Sequence, residues 1–419
     1  MRVLVVTNYF PPHHMGGAEV SVFHTCLGLR DRGVDVSVLV VNARMRDRRD
    51  LQQTDQGVPI HRITYQTPWF NHPFWQTFDP RVYSSVLQEV QRQQPDVVHV
   101  HNVSGATLAP FVACRRLGVP VVLTLHDHWL LCPNNMLYKG DGTVCDPAEK
   151  TLACGQCFRR YDYWADLPWR RRVFARLVRG VRLFVSPSQR LVDLHVAAGY
   201  DRGRFCVVPY GLYPGLARFP SDPLFREYAQ GRGRYRTLLF AGAVVESKGV
   251  ETMIEALPLL SRYIDRFRLL VAGWGDERYL SDLRRRDPSV VKVLGRVPFE
   301  EMRALYAIAD LTLVPSIWYD NSPLVIYESL LAGTPVLGSE IGGIPELIQR
   351  ERTGYVFPPG DALALTEKVI QHFSLSAPER RAMRRRCAEY AHAHLSMGQH
   401  LDRLYQVYRK VLDTSVVSL

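Results

Sequence analysis

Lysine is scarce in this 419-residue chain: of 52 basic side chains only six, at positions 139, 150, 248, 292, 368 and 410, are lysines. The net charge of +11 is therefore carried almost entirely by arginine. Such an excess fits nucleic acid, a membrane surface or an anionic substrate, but an arginine bias also follows from genome composition, so charge alone selects none of these. No window approaches the roughly 18 unbroken apolar residues that a spanning helix needs, and the opening Val3-Leu4-Val5-Val6 is too short for a signal peptide. The sequence reads as cytosolic. Internal repeats and low-complexity tracts are lacking, and so is the Gly-x-Gly-x-x-Gly dinucleotide fingerprint, which counts against a nicotinamide enzyme. What is present, 47% hydrophobic, 22% charged and 11% aromatic residues, excludes disordered and collagen-like chains. At about 150 residues per domain the length suits two or three domains.

The pattern along the chain is one of alternation. Arg2 to Thr7 reads as a buried strand, apolar residues recur with helical spacing from Val20 until Gly33, and Val34 to Val41 is a second strand. Strands at 96–100, 120–125 and 181–185 follow, with helices at 106–117 and 189–198. The rhythm breaks after Val207-Val208-Pro209-Tyr210-Gly211, where Pro214, Pro220 and Pro223 cluster, and restarts at Thr237 with strands at 238–241, 269–272, 290–294, 311–314, 335–338 and 355–356. The tail from Pro378 to Leu412 is helical and charged. This implies an α/β chain of two doubly wound, Rossmann-like domains, 1–210 and 211–377, followed by C-terminal helices at 378–419. Ligands of such sheets sit at the carboxyl ends of the strands.

Gly16 and Gly17 lie where the first strand turns into the first helix, so their amides can face an anion unobstructed, although tight turns alone also select glycine. In the second domain Gly242-Ala243-Val244-Val245-Glu246-Ser247-Lys248-Gly249 occupies the same kind of turn. Lys248 there can meet a diphosphate as a point charge, the bland alternative being a solvated lysine. Farther on, Asp320 precedes a helix whose first turn begins near Asn321-Ser322, continues through Pro323 and Leu324, and carries Glu328. A carboxylate at Glu328 can accept from the two adjacent hydroxyls of a ribose, and free amides of the 321–324 turn can stabilise a departing diphosphate. None of this requires a metal.

The run from Pro315 to Glu328, with Gly333-Thr334-Pro335 and Gly342-Gly343-Ile344-Pro345-Glu346, resembles the donor-binding signature of the retaining glycosyltransferases of family four. The resemblance extends over nearly the whole chain: Asn8-Tyr9-Phe10-Pro11-Pro12, Gly16-Gly17-Ala18-Glu19, Asp96 to Asn102, Leu125-His126-Asp127, Ser186-Pro187-Ser188 and Lys248-Gly249. It implies a GT-B architecture, with two domains facing each other across a cleft, the donor held mainly by the second, the acceptor by the first, and the tail crossing back. It implies a hexosyl transfer from a nucleotide-diphosphate sugar to a hydroxyl acceptor, with no cofactor. It assigns the ribose to Glu328, the hexose to Asp320, and a contact with the donor sugar to His126, whose alternative reading is a buried structural histidine. Two positions depart from the pattern. Asp320 stands where the family usually has Glu, and Ala243 stands where it has a diphosphate-binding arginine. Lys248 is then left with the diphosphate, and Arg296, beside the expected base site at Gly295 and Val297, is the candidate to assist.

Cys132, Cys145, Cys154 and Cys157 concentrate in a Cys-rich insertion at 129–160. In a cytosolic chain the clustering favours thiolate ligation of structural zinc, or of an iron–sulfur cluster, over disulfides, a redox pair or unlinked thiols. Trp164, Trp169, Arg170, Arg171, Arg172, Phe174, Arg176 and Arg179 form a basic aromatic helix. Peripheral contact with the anionic inner face of a membrane is one reading of it, and an ordinary helix covering a sheet is the other. Nucleic-acid binding is not expected, because the arginines are dispersed and no aromatic platform accompanies them. Two rivals remain for the function: an epimerase or hydrolase of nucleotide sugars on the same fold, and a non-catalytic partner subunit.

Overall fold

The short apolar run Arg2–Thr7 forms β1, buried from Val3 to Thr7 on both faces. Burial on both faces requires a covering layer on each side, and parallel sheets acquire it from their crossover helices. The computed structural model describes residues 1–11, 16–42, 51–64, 77–101, 103–147, 157, 167–212 and 234–413. These form two compact units, Met1–Gly211 with Met397–Leu419, and Leu212–Ser396.

In the first unit β1 is joined by β2 (Asp35–Asn42), β3 (Leu51–Asp55), β4 (Val58–Thr64), β5 (Val97–His101), β6 (Val121–Thr124), β7 (Val181–Ser186) and β8 (Phe205–Val207). Their order is β3-β4-β2-β1-β5-β6-β7-β8. Every described pairing is parallel except β3 with β4. Besides a single helical turn at Val103–Ala106, the helices before the tail are α1 (Gly17–Asp31), α2 (Pro80–Gln93), α3 (Ala109–Leu117), α4 (Leu167–Leu177) and α5 (Gln189–Ala197). Successive β1 residues serve opposite cores, as the period of two demands: Leu4 and Val6 pack with Val98, Val100 and Phe111, whereas Val3 and Val5 pack with Val38 and Val122.

The β3–β4 hairpin escapes the alternation of sequence because β3, Leu-Gln-Gln-Thr-Asp, has almost no apolar content. Its turn is formed by Gln56 and Gly57, at φ 48 and 82, the two positive values of a tight hairpin turn. Similarly, the helix expected from Ala106 starts at Ala109. Thr107 takes φ 58 and Pro110 sits in the first turn, so the chain breaks and restarts there.

The second unit holds β9 (Arg236–Ala241), β10 (Phe267–Ala272), β11 (Val291–Gly295), β12 (Leu311–Val314), β13 (Val336–Ser339) and β14 (Gly354–Phe357). They are all parallel, in the order β11-β10-β9-β12-β13-β14. Helices α6 (Val250–Tyr263), α7 (Glu277–Arg285), α8 (Phe299–Ile308), α9 (Leu324–Leu331), α10 (Ala362–Ser374) and α11 (Ala377–His394) complete it. From β9 the chain moves outward to β11 and then returns to β12 on the other side, so the topological switch lies between β9 and β12, and a crevice opens there at the strand ends.

The C-terminal tail divides between the units. α11 stays with the second, where Met383, Cys387 and Ala391 are buried and Arg384 donates to the carbonyls of Ala309 (2.7 Å) and Ala307 (3.1 Å) at the end of α8. α12 (Met397–Asp413) belongs to the first, burying Leu401, Leu404, Val407 and Tyr408 against the β1 face opposite Leu4. The Tyr408 hydroxyl lies 2.7 Å from His99 Nδ1, while His99 Nε2 meets Thr124 Oγ1 at 2.7 Å. Both side chains are almost fully buried. Tyr408→Phe should therefore strand a buried imidazole nitrogen and cost about 1–3 kcal/mol, readable as a lowered denaturation midpoint. An unchanged midpoint would show that His99 finds another partner.

Candidate functional site

The two turns at the switch point are sewn together through backbone. Ile317 N–H donates to the Ser247 carbonyl (2.9 Å), tying the loop after β12 to the turn after β9. Gly249 takes φ +69, and a Cβ placed on it would lie 1.7 Å from the Pro315 carbonyl oxygen. Only glycine allows that approach, and the approach is what brings Lys248 to Asp320. Lys248 Nζ donates to Asp320 Oδ2 at 2.5 Å, and Ser316 Oγ donates to the same oxygen at 3.1 Å. The Lys248 ammonium also stands 5.4 Å from the centroid of the Trp318 ring. Behind Asp320 the Gly342-Gly343 turn closes in: Gly343 N–H donates to the Asp320 carbonyl at 2.8 Å, and a Cβ on Gly342 would lie 2.3 Å from that oxygen.

α9 starts at Leu324 with Pro323 as its N-cap, and no side chain caps its first amides. Those amides and the helix dipole point at the switch crevice and favour an anion there. Asn321 and Ser322 are buried, and Ser322 Oγ is bonded to the Tyr327 hydroxyl at 2.6 Å, which fixes the entry to the helix. One turn into α9, half-buried Glu328 accepts from the Tyr306 hydroxyl of α8 through Oε2 at 2.7 Å. Burial pushes the Glu328 carboxyl up to about 7, with the Tyr306 hydrogen bond acting in the opposite direction. Lys248, Asp320, Asn321, Ser322, Pro323, Leu324 and Glu328 are thus brought to one end of one sheet.

Arg296, after β11, is exposed, and its guanidinium stands 5.0 Å from the centroid of Trp274, itself 55% exposed after β10. The neighbouring turn carries Ala243, and Val244 N–H donates to the Trp274 carbonyl at 2.9 Å. The three turns that follow β11, β10 and β9 are therefore consecutive along the rim of the sheet. Val297 packs with the core of this unit instead of standing free. Tyr306 and Trp274 were not singled out by sequence reasoning. Tyr306 lies 22 residues before Glu328 on a different helix, and no spacing rule couples the two.

The glycine pair of the first unit behaves differently. Gly16 is the N-cap of α1, and its N–H donates to Glu19 Oε2 at 2.8 Å, the one half of a capping box that a glycine can make. The chain's own carboxylate thus satisfies the amide that had been read as an anion seat, and its negative charge opposes a phosphate at Gly16 and Gly17.

His126 follows β6 and is the middle member of a chain of three groups. Its Nδ1 lies 2.7 Å from the Tyr210 hydroxyl and its Nε2 lies 2.9 Å from His101 Nδ1. Desolvation, then the neighbouring His400, lowers its pKa to about 3, so the ring is neutral. With both nitrogens engaged, contact between His126 and a sugar requires one of these bonds to be exchanged.

Cys132 is buried, Cys145 and Cys157 are partly buried, and Cys154 lies outside the described residues. Among the described residues no group of three or more His, Cys, Asp or Glu side chains is placed to hold a metal ion. Trp169, Arg170, Arg171, Arg172, Phe174 and Arg176 of the basic aromatic segment lie in α4, Arg179 falls in the 3-10 turn Val178–Gly180 that follows it, and Trp164 lies outside the described residues. Phe174 is fully buried, and Arg170, 4% exposed, has its guanidinium 3.9 Å from the Phe174 ring centroid and 5.0 Å from that of Trp129. Its inner face thus covers the first core, and Arg172, Arg176 and Arg179 remain exposed. Among the described residues no helix is long and apolar enough to cross a membrane.

Two doubly wound units, one with a cation, two carboxylates and an uncapped helix start at its switch point, make the architecture of the GT-B class. Comparison with known proteins places it within that class. Residues 15–214 match the family model Glycosyltransferase Family 4, and residues 235–374 match Glycosyl transferases group 1. The chain belongs to this family and is a glycosyltransferase. Among its relatives are a phosphatidyl-myo-inositol mannosyltransferase of Mycobacterium leprae, 25% identical over 85% of this chain and 83% of that protein, and a D-inositol 3-phosphate glycosyltransferase of Pseudarthrobacter chlorophenolicus, 28% identical over 81% and 77%. Among solved structures, Anabaena HepE in complex with UDP superposes with a TM-score of 0.71 at 19% identity, covering 98% of this chain and 100% of that one. Sucrose-phosphate synthase of Thermosynechococcus elongatus gives 0.72 at 17% identity, with 99% of each chain covered.

Proposed function

We propose that the chain is a retaining hexosyltransferase that takes its sugar from a nucleotide-diphosphate donor bound at the β9–β12 switch point. The observation that carries this reading is the Lys248–Asp320 pair at 2.5 Å, set between the uncapped start of α9 and Glu328. Lys248 and the first amides of α9 take the diphosphate, Glu328 takes the ribose diol, and Asp320 turns toward the hexose once the diphosphate engages Lys248. HepE, which has been solved with UDP-glucose, supports a nucleotide-sugar donor. The resemblance to the retaining enzymes of family four assigns Asp320 to holding the hexose and assigns no side chain as the nucleophile of a double displacement. The acceptor hydroxyl therefore attacks C1 on the face from which the diphosphate departs. The bond from C1 to the diphosphate oxygen breaks, the glycosidic bond forms, and the acceptor proton passes to the departing phosphate oxygen. The protein supplies orientation and charge neutralisation, and no metal takes part.

Nucleoside diphosphate release, followed with a panel of UDP-, GDP- and ADP-sugars, tests the reading. Release should depend on an added hydroxyl acceptor, and the product should keep the anomeric configuration of the donor. Conversion of the donor alone would favour the epimerase or hydrolase, and no binding of any donor would favour the partner subunit. Glu328→Gln should raise donor KM about tenfold and change kcat less, because the ribose is unaltered by the reaction. An unchanged KM would remove Glu328 from the donor site.

A further inference from the structure

Tyr306 is fully buried, and its hydroxyl has a single described partner, Oε2 of Glu328. A phenolic hydroxyl in an apolar interior is costly unless it is bonded, so a residue serving only to fill this space would be better as phenylalanine. The remainder of its setting is rigid: Thr334 Oγ1 donates to the Tyr306 carbonyl at 2.6 Å, and Leu305, Ile308 and Ala309 surround it in the core. The hydroxyl is therefore fixed before any ligand arrives. Glu328 Oε1, by contrast, has no described partner.

We propose that Tyr306 is a positioning residue of the donor site, whose buried hydroxyl pins Oε2 of Glu328 so that Oε1 and the remaining lone pair of Oε2 meet the ribose diol as one preset pair of acceptors. This rests on the donor site described above and adds to it how the ribose-binding acid is kept ready. The same bond keeps the acid usable at neutral pH. Burial pushes Glu328 toward its protonated form, and a donated hydrogen bond favours the ionised one. Among the described residues Tyr306 is the titratable group in contact with Glu328. Arg384, on the helix packed against α9, is turned instead to the carbonyls of Ala307 and Ala309. A protonated Glu328 would hold one acceptor position fewer, so donor affinity should rise with pH through about 7 and level off above it.

The test is binding of an intact sugar nucleotide, the best binder among UDP-glucose, GDP-mannose and ADP-glucose, measured calorimetrically from pH 5.5 to 9.5 without acceptor. The free nucleoside diphosphate is unsuitable because its terminal phosphate titrates near pH 6. In the wild-type protein affinity should rise with a midpoint near 7. In Tyr306→Phe the midpoint should move up by about one unit, weakening binding about fivefold at pH 7 and restoring it above pH 9. In Glu328→Gln the profile should be flat and weak. Glu328→Asp, which keeps the charge but withdraws it from Tyr306, should show the same loss of positioning and serves if Tyr306→Phe does not fold. A Tyr306→Phe midpoint equal to wild type, or a loss equal at every pH, would overturn the inference and leave Tyr306 as packing. No effect of Glu328→Gln would overturn the donor site itself.

Discussion

Replacing Lys248 with alanine is expected to lower kcat/KM by about 10- to 100-fold, from the 1.5–3 kcal/mol of a hydrogen bond to a charged group. Donor KM should rise and kcat should fall together, because the diphosphate is held in the ground state and gains charge as it departs. Redundancy is not expected: the turn carries Ala243 in place of a second cation, and Arg296 stands two strands away on Trp274. A second cost arises in the free protein. Asp320 is 7% exposed and accepts from Lys248 and Ser316, so removing Lys248 leaves a largely buried carboxylate without its cation. A double-mutant cycle with Asp320→Asn separates the two effects. If the residues act as a pair, the double variant should be more stable than the sum of the single losses implies, while its turnover stays low. Unchanged kinetics of Lys248→Ala at saturating acceptor would place the diphosphate elsewhere.

Gly249→Ala should be more damaging still, even though it adds only a methyl group. The new Cβ would lie 1.7 Å from the Pro315 carbonyl oxygen and 2.6 Å from its carbon, so the turn after β9 and the loop after β12 would have to part. Neither neighbour is the flexible end of a side chain. Parting them breaks the Ile317–Ser247 bond and draws Lys248 away from Asp320. A loss of about 3 kcal/mol or more in stability is expected, with donor binding abolished in whatever remains folded. Gly118→Ala is the matched control. Its φ of +71 is nearly the same, but nothing lies within 4 Å of its Cβ, so it should show the backbone cost alone, about 1 kcal/mol. Denaturant melts of the two variants decide: equal losses would mean that the close approach at Gly249 contributes nothing.

These two residues illustrate where sequence reasoning reaches and where it stops. The Lys248-Gly249 turn was readable as a strand-to-helix junction suited to a phosphate, because local spacing and glycine content express local backbone geometry. The pairing of Lys248 with Asp320, 72 residues apart, was not. It depends on β9 and β12 being neighbours, and that order is a property of the sheet, not of either segment. His126 gives the same lesson. Its place at the end of β6 was legible, but the engagement of both its nitrogens was not, since Tyr210 lies 84 residues away. At Gly16 the relevant signal is local: Glu19, three residues on, takes the Gly16 N–H, and that spacing is visible in the sequence.

By itself the sequence determined the class of fold, because buried parallel strands and their covering helices each impose a periodicity that survives in one dimension. It also determined the positions of the signature residues around Asp320 and Glu328, which follow one another along a single loop and helix. Only the tertiary structure decided which side chains those residues meet. Tyr306 was chosen for Glu328 by the packing of α8 against α9, and the tail was divided between the units by which apolar surface each helix could cover, α11 on the second core and α12 on the first. Burial of apolar area is non-directional and identifies no partner in advance. Hydrogen bonds and ion pairs do discriminate between partners, but only once strand order has brought the groups within reach.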